Sequence, residues 1–196
     1  MDNENQHNAP NVLAGVKTDA RDLSDPTPVP PSAGSQSLPN PEQVVIYAKA
    51  AAGGARSTSG FSVILCKVDA EGTHLRAPKL ITGRKAGTTA PQMEMLGVVQ
   101  ALEALKQSRE LPVILRPGLE IIVNGINRDM ETWRLAGWKK SDGKDPANLI
   151  IWQALAALLS GRCVKAELAG SNHWADFAAS AALAARDRAR AEWVNG

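Results

Sequence analysis

Long apolar runs and a basic leader are both missing from this 196-residue chain. No hydrophobic stretch approaches the roughly 18 to 20 residues that a helix needs to cross a bilayer, so no membrane-spanning segment is predicted. The N-terminus, Met-Asp-Asn-Glu-Asn, has no basic segment followed by an apolar one, so no secretory signal is predicted. We therefore expect a soluble, intracellular (cytoplasmic) protein with no membrane partner.

Cysteine is scarce as well. Cys66 and Cys163 are the two cysteines of the chain, and neither has a Cys or His nearby at the spacing of metal ligands. Both lie in apolar, strand-like stretches, where a reduced and buried thiol is the usual state. Neither a disulfide nor a cysteine-bound metal is predicted.

The charge of the chain is unevenly distributed. The formal net charge is +2, but residues 1–40 contain two basic and five acidic residues, whereas 41–196 contain twenty basic and fifteen acidic ones. A basic body is compatible with a nucleic-acid partner without requiring one. The length and the hydrophobic content of 44% fit one globular domain with a sizeable core.

Residues 1–40 have a composition unlike that of the rest. They are rich in Asn, Asp, Ser and Pro, include Pro-Thr-Pro-Val-Pro-Pro at 26–31, and show neither helical nor strand periodicity. This composition predicts a disordered or extended arm. The arm is either a plain linker or a strap that becomes ordered against a protein partner. Residues 41–196 are expected to form the domain.

Within the domain, three strands in a meander are followed by strands that alternate with helices. This order is typical of a mixed sheet covered by helices. Val113–Leu115 is a short apolar run of the kind found in buried parallel strands. The predicted strands are Val44–Ala48, Phe61–Val68, about His74–Ile81, Val113–Leu115 and Val164–Leu168, and the predicted helices are 90–106, a helix beginning within 119–126, 148–159 and 174–193.

The helix at 90–106 has the strongest local signal. Good helix formers dominate it, and Pro91 lies near the start, where its missing N–H has no intrahelical partner to lose. Glu94 lies in the first turn, where the helix dipole favours a carboxylate. Glu94 therefore either completes a helix start or is a functional acid. The apolar residues at helical spacing are Met93, Leu96, Val99, Leu102 and Leu105.

A cluster of aromatic and basic residues follows the second helix. It contains Trp133, Arg134, Trp138, Lys139 and Lys140. Such side chains can stack on bases and neutralise phosphates, which would make the cluster a nucleic-acid-binding site. Alternatively, both indoles pack into the core and the cations form a solvated face. The sequence leaves both interpretations open.

The element order β-β-β-α-β-α-β-α, with Gln-Met-Glu-Met and Ala-Leu-Glu-Ala-Leu-Lys on the first helix, resembles the ribonuclease H family of type 1. The segments 132–139 and 151–155 resemble the family's substrate-contacting handle and the helix after it. The resemblance runs from about Val44 to about Ala185. It implies an α/β ribonuclease H-like fold with a five-stranded mixed sheet flanked by helices. It also implies cleavage of the RNA strand of RNA–DNA hybrids with two Mg²⁺ ions held by four carboxylates.

Two of the four acids implied by this resemblance are missing. Lys49 stands at the first acid position and Gly118 at the third, whereas Glu94 and Asp176 match the second and fourth. No Asp or Glu occurs from Val44 to Lys67, so a small error in alignment would not restore the first acid. Glu120 could reach back to the third position only if Gly118 permits a bulge.

These losses lead to three functional hypotheses. The first is an inactive ribonuclease H-like domain, a pseudoenzyme with a degenerate active site, that binds an RNA–DNA hybrid, a duplex or a protein assembly. In it, Lys49 lies between Glu94 and Asp176 as an internal ion pair in place of a metal site, and no cofactor is expected. The second is an active ribonuclease H that uses Mg²⁺ with an altered acid set, with Glu94 and Asp176 as ligands. The third is a structural component attached to neighbours through residues 1–40.

Overall fold

The computed structural model describes residues 11–23, 42–53, 58–105 and 110–194. Its elements lie at the positions that the apolar patterns favour, with one additional strand at the N-terminus. The strands are β1 Lys17–Asp22, β2 Gln43–Ala51, β3 Thr58–Val68, β4 Lys79–Ala86, β5 Val113–Pro117 and β6 Val164–Ala166. The helices are α1 Ala90–Ala104, α2 Glu120–Asn124, α3 Met130–Leu135, α4 Leu149–Leu159 and α5 His173–Val194. One π-helical turn, Gly125–Asp129, joins α2 to α3.

The six strands form one mixed sheet in the order β1-β4-β3-β2-β5-β6. The three pairs β1–β4, β4–β3 and β3–β2 are antiparallel, whereas β2–β5 and β5–β6 are parallel. The predicted α/β class with a mixed sheet and the parallel pairing of Val113–Leu115 are confirmed. The predicted number of five strands is wrong, because part of the N-terminal arm adds a sixth.

Alternating side chains of the central strands face two separate cores. Val44, Ile46 and Ala48 of β2 pack with α1 and α4 in the larger core, whereas Val45 and Tyr47 face α5 across the other side of the sheet. Helix α5 lies very close to β3. A Cβ at Gly60 would come within 2.5 Å of the Arg186 backbone N and 2.6 Å of the Ala182 carbonyl oxygen, so only glycine fits there.

Strand β1 covers the edge of the sheet. All six of its residues are exposed, and it pairs with β4 along its whole length, from Lys17 opposite Arg84 to Asp22 opposite Lys79. Just before it, three apolar residues, Val12, Leu13 and Val16, pack against the larger core. Covering an edge strand removes a row of unpaired backbone groups. This part of the arm is therefore extended, as one alternative predicted, but it binds its own domain; 1–10 and 24–41 lie outside the described residues.

Two further sequence predictions are corrected. The third strand of the meander was predicted at His74–Ile81, but β4 begins only at Lys79; His74 forms an isolated bridge to Val68, and Pro78, which has no N–H to donate, precedes the strand. Cys66 is buried as predicted, whereas Cys163 is exposed because it precedes β6 rather than lying within it. Among the described residues no helix is both long and apolar enough to cross a membrane.

Candidate active site and nucleic-acid interface

Helix α1 fixes the position of Glu94. The helix begins with a capping box: Thr89 is the N-cap, its hydroxyl accepts a hydrogen bond from the Gln92 N–H, and the Gln92 side chain accepts one from the Thr89 N–H. Glu94 comes one turn later and is only 2% exposed. The expected apolar face of this helix is confirmed, since all five residues predicted for it are buried. Glu94 is thus a buried acid, not a solvated residue at a helix start.

The Glu94 carboxylate is bonded to the end of β5. Its Oε1 atom accepts hydrogen bonds from the backbone N–H groups of Gly118, at 2.6 Å, and Leu119, at 3.1 Å. Burial raises the pKa of Glu94 to about 7, against the opposing effects of these two hydrogen bonds, of the positive charge of Lys49 and of a further hydrogen bond from the Ala50 backbone. Sequence reasoning missed these backbone donors, because nothing in the residue letters marks a free N–H group.

Lys49 and Gly118 meet at Glu94. Strands β2 and β5 are parallel with Ala48 opposite Pro117, so the next residue of each strand lies at the same edge of the sheet. A Cβ at Gly118 would lie 2.8 Å from Lys49 Nζ and 3.3 Å from Glu94 Oε2. The three predicted positions therefore share one small space, and the Lys49 ammonium occupies the room that a side chain at 118 would need. We call Lys49, Glu94 and Gly118 the Glu94 cluster.

No hydrogen bond or ion pair links the Asp176 side chain to the Glu94 cluster among the described residues. Asp176 lies in the first turn of α5, it is exposed, and its carboxylate makes no hydrogen bond or ion pair with any residue the structure describes. Two residues later, the Ala178 carbonyl accepts a hydrogen bond of 2.5 Å from Ser62, the residue paired with Lys49 on β3. Helix α5 thus passes near the Glu94 cluster. The predicted ion pair between Lys49 and Asp176 is nevertheless wrong, because the Asp176 side chain points into solvent.

Glu120 does not reach the Glu94 cluster. It is exposed in the first turn of α2, and its carboxylate makes no hydrogen bond or ion pair within the described ranges. A search of the same residues for three or more His, Cys, Asp or Glu side chains that could hold a metal ion finds no group. One carboxylate with backbone donors and an ammonium beside it can bind a proton or a cationic group.

The two indoles of the handle, residues 128–145, lie between core and surface. Trp133 contacts Trp152 edge to face, with ring centroids 5.6 Å apart, and both Trp133 and Trp138 pack against the larger core. Trp138 has a left-handed backbone, with φ of 64°, that is held by a 2.6 Å hydrogen bond from its N–H to the Trp133 carbonyl. Positive φ is unusual for a bulky residue and signals a backbone held by its surroundings. No pattern in the sequence predicted this backbone conformation.

Each predicted cation of the handle has a carboxylate partner within the handle. Lys139 Nζ lies 2.6 Å from Asp145, and Lys140 Nζ lies 3.2 Å from Asp142. Arg134 donates two hydrogen bonds to Glu131, at 2.7 and 2.8 Å. These exposed pairs leave much less free positive charge than the basic residues alone suggest. The four acids of this segment were the available signal, and sequence reasoning gave them too little weight.

The fold and the site define a ribonuclease H-like protein, and comparisons with known proteins agree. Among solved structures, LC9-RNase H1, a type 1 RNase H with the type 2 active-site motif, superposes with a TM-score of 0.63 at 22% identity, covering 79% of this chain and 76% of that one. LC11-RNase H1, solved in complex with an RNA/DNA hybrid, gives a TM-score of 0.55 at 20% identity, covering 76% and 99%. At these identities the likeness shows the fold.

Sequence comparison establishes the family. The RNase H family model matches residues 41–184, so the chain belongs to the RNase H family. Its relatives include the ribonuclease H of Rhodopseudomonas palustris strain HaA2, 34% identical over 131 residues that cover 67% of this chain and 76% of that protein. Ribonuclease HI of Pseudomonas aeruginosa is 33% identical over 114 residues, covering 58% and 71%.

Proposed function

We propose that this domain binds RNA–DNA hybrids and does not cleave them by the two-metal route of its relatives. LC11-RNase H1 and the foamy viral protease-reverse transcriptase are similar in fold and were solved with an RNA/DNA hybrid bound. Family membership and shared fold support the same ligand class here. The proposal of lost catalysis rests on the Glu94 cluster.

The observation that carries this proposal is the set of donors around Glu94. Mg²⁺ requires close to six oxygen ligands, and a pair of ions is held by several carboxylates that bridge or flank them. Here an ammonium, Lys49, and a glycine, Gly118, occupy two of the four family positions, and one oxygen of Glu94 already accepts two backbone hydrogen bonds. These residues do not fit two Mg²⁺ ions, so no bound metal is proposed.

Lys49 takes over the electrostatic part of the metal's role. Its charge favours the ionised form of Glu94, as the direction of its effect on the pKa shows. The same charge repels a divalent cation at short range, and this repulsion is strong where water is excluded. A single residue thus both stabilises the remaining acid and opposes reoccupation by Mg²⁺.

The handle is the proposed contact surface for the nucleic acid. The half-buried indoles of Trp133 and Trp138 hold it against the core, and Arg134, Lys139 and Lys140 project from an exposed surface. A phosphate must compete with the carboxylates that already pair with these cations. Because exposed ion pairs are weak and screened by salt, this exchange is possible but costs part of the affinity. We therefore expect weak, salt-sensitive binding.

Two measurements on the full chain test the proposal. A labelled RNA–DNA hybrid is incubated with the wild type in Mg²⁺ and in Mn²⁺, and binding of the same hybrid is followed by fluorescence anisotropy over a series of salt concentrations. We expect intact RNA, and binding that weakens steeply with salt. The double variant Trp138→Ala, Lys139→Ala should lose binding, whereas Lys165→Ala, which removes an exposed cation from β6, should not.

Other outcomes select the remaining hypotheses. Metal-dependent cleavage that disappears in Glu94→Gln contradicts the proposal and selects the active enzyme with an altered acid set. No binding of hybrid or duplex at low salt contradicts it in favour of a structural component. A protein partner for residues 1–40 stays a separate prediction, since 1–10 and 24–41 lie outside the described residues.

A further inference from the structure

A groove of about 380 Å³ lies between β1 and α5, at the outer edge of the sheet. Its floor includes Leu80 and Thr82 of β4, and Ala181 of α5 closes one side. Leu80 belongs to the smaller core, on the face of the sheet opposite to α1. The groove is therefore separate from Glu94, and part of its wall exists only because the N-terminal strand is added to the sheet.

Two arginines from distant parts of the chain line this groove. Arg21 comes from β1 and Arg188 from α5, and both are exposed. Neither makes a hydrogen bond or an ion pair within the part of the chain that the structure describes. The one acid of the lining, Asp19, already accepts a 3.3 Å hydrogen bond from Arg84. The groove thus has positive charge that no residue described here balances.

The floor also supplies a hydroxyl group, that of Thr82. Thr82 is 4% exposed and lines the groove, and its hydroxyl has no hydrogen bond to any of the described residues. Because this residue and the two arginines line the same cavity, a ligand can contact all three.

We propose that the groove between β1 and α5 is a binding site for a phosphate group, held between the guanidinium groups of Arg21 and Arg188 with the Thr82 hydroxyl as a further donor. Planar guanidinium groups bind phosphate through paired hydrogen bonds, and two of them can bind one phosphate from both sides. The volume also accommodates the body of a nucleotide, since ligand pockets begin at roughly 300 Å³, and Leu80 and Ala181 offer it apolar contact. The site is independent of the hybrid-binding function.

Titration of the isotope-labelled full chain with inorganic phosphate, followed by NMR, tests this site. At constant ionic strength we expect saturable shifts at the backbone amides of 19–21, 80–82 and 181–188 and at the side-chain Nε–H groups of Arg21 and Arg188. The variant Arg21→Gln, Arg188→Gln should bind at least about tenfold more weakly, since charge-assisted hydrogen bonds are lost. Both residues are exposed, so the fold should persist, and unchanged spectra elsewhere will show it.

Further variants and ligands test whether phosphate binds at the groove between β1 and α5 and from which source it comes. Thr82→Val removes the hydroxyl at nearly constant volume and should weaken binding by a few-fold, whereas Lys165→Ala, which removes an exposed cation from β6, should leave it unchanged. Parallel titrations with adenosine 5′-monophosphate and with a single-stranded oligothymidylate identify the source of the phosphate, a free nucleotide or a nucleic-acid backbone. Shifts that do not saturate with any of the three probes, or that persist in the double arginine variant, would overturn the proposal.

Discussion

The Glu94 cluster and the handle both contain ionisable residues at family positions, but they hold their charges in different surroundings. In the cluster Glu94 is 2% exposed, and Lys49 and two backbone N–H groups surround it. In the handle, Lys139 and Lys140 pair with Asp145 and Asp142, with roughly half of each of these side chains accessible to solvent.

This difference determines how easily each charge can change its partner. Removing a partner from a buried charge leaves it uncompensated in a medium of low dielectric constant, which is costly. Removing a partner from an exposed charge leaves it in water, which solvates it well. Substitution of a charged residue should therefore change stability strongly in the Glu94 cluster and weakly in the handle, where its effect falls on nucleic-acid binding instead.

The largest effect is expected from restoring the missing acids. Lys49→Asp combined with Gly118→Asp removes the ammonium from the space beside position 118 and places carboxylates next to Glu94. Without metal, we expect the free energy of unfolding to fall by about 5 kcal/mol, because buried like charges repel. Millimolar Mg²⁺ should restore about 3 kcal/mol, as a bound ion stabilises the folded state alone.

Urea denaturation with and without Mg²⁺, at matched ionic strength, measures this rescue, and cleavage of a labelled hybrid gives a second readout. If the double variant does not fold without metal, refolding on addition of Mg²⁺ is the equivalent result. An equal gain in stability for the wild type would show that the natural donor set already binds the ion. The Glu94 cluster would then not be a closed set of buried charges, in contrast to the handle.

The next largest loss of stability is expected when the hydrogen bonds to Glu94 are removed. Glu94→Ala leaves the Gly118 and Leu119 N–H groups without an acceptor and opens a cavity, so we expect a loss of about 4 kcal/mol in the free energy of unfolding. Glu94→Gln keeps an amide oxygen at the same place and should lose less than half as much. Glu120→Ala, which removes an exposed acid from α2, is the matched control and should change stability little.

Stability should also depend on pH through Glu94. Its pKa in the folded protein is about 7, against 4.5 for a solvated glutamate, so the folded state binds this proton more tightly than the unfolded chain does. The stabilisation is complete below pH 4.5, declines as the pH rises towards 7, and is absent above that. We expect the free energy of unfolding to fall by about 3 kcal/mol between these limits because of Glu94. Urea denaturation at pH 5 and pH 8 measures it.

Glu94→Gln provides the reference for this pH dependence. Other titrating groups are common to both proteins, so the difference between their pH profiles reports Glu94. Identical profiles would mean that the hydrogen bonds from Gly118 and Leu119, together with Lys49, cancel the effect of burial on the pKa of Glu94.

The sequence predicted best those features that depend on local patterns. The limits of α1 follow from helix formers and a proline at its start, and the parallel pairing of β5 follows from a short apolar run. Residue matching in the ribonuclease H pattern brought Lys49, Glu94 and Gly118 together, and the structure places them around one point.

The features that the sequence did not predict depend on tertiary contacts. Strand β1, Lys-Thr-Asp-Ala-Arg-Asp, has no apolar alternation, because it is held by backbone hydrogen bonds at an edge and all its side chains are exposed. The positive φ of Trp138 and the two backbone donors to Glu94 are likewise set by how distant segments pack. Periodicity carries no information about such contacts.

The smallest effect on stability is expected in the handle, whose exposed ion pairs contrast with the buried charges of the Glu94 cluster. Asp142→Asn with Asp145→Asn removes the negative charges that pair with Lys140 and Lys139 but keeps side-chain oxygens in place, including the acceptor for the Lys144 N–H. Stability should hardly change, whereas affinity for an RNA–DNA hybrid at low salt should rise about two- to fivefold, with a steeper dependence on salt.

Glu42→Gln is the matched control, because it frees a lysine, Lys67, from an ion pair outside the handle. Fluorescence anisotropy over a salt series compares the two variants with the wild type. If Glu42→Gln raises the affinity as much as the handle variant does, the gain reflects net charge alone and the handle is not the contact surface. If only the handle variant gains, its acids restrain hybrid binding, because each phosphate contact must first displace a neighbouring carboxylate.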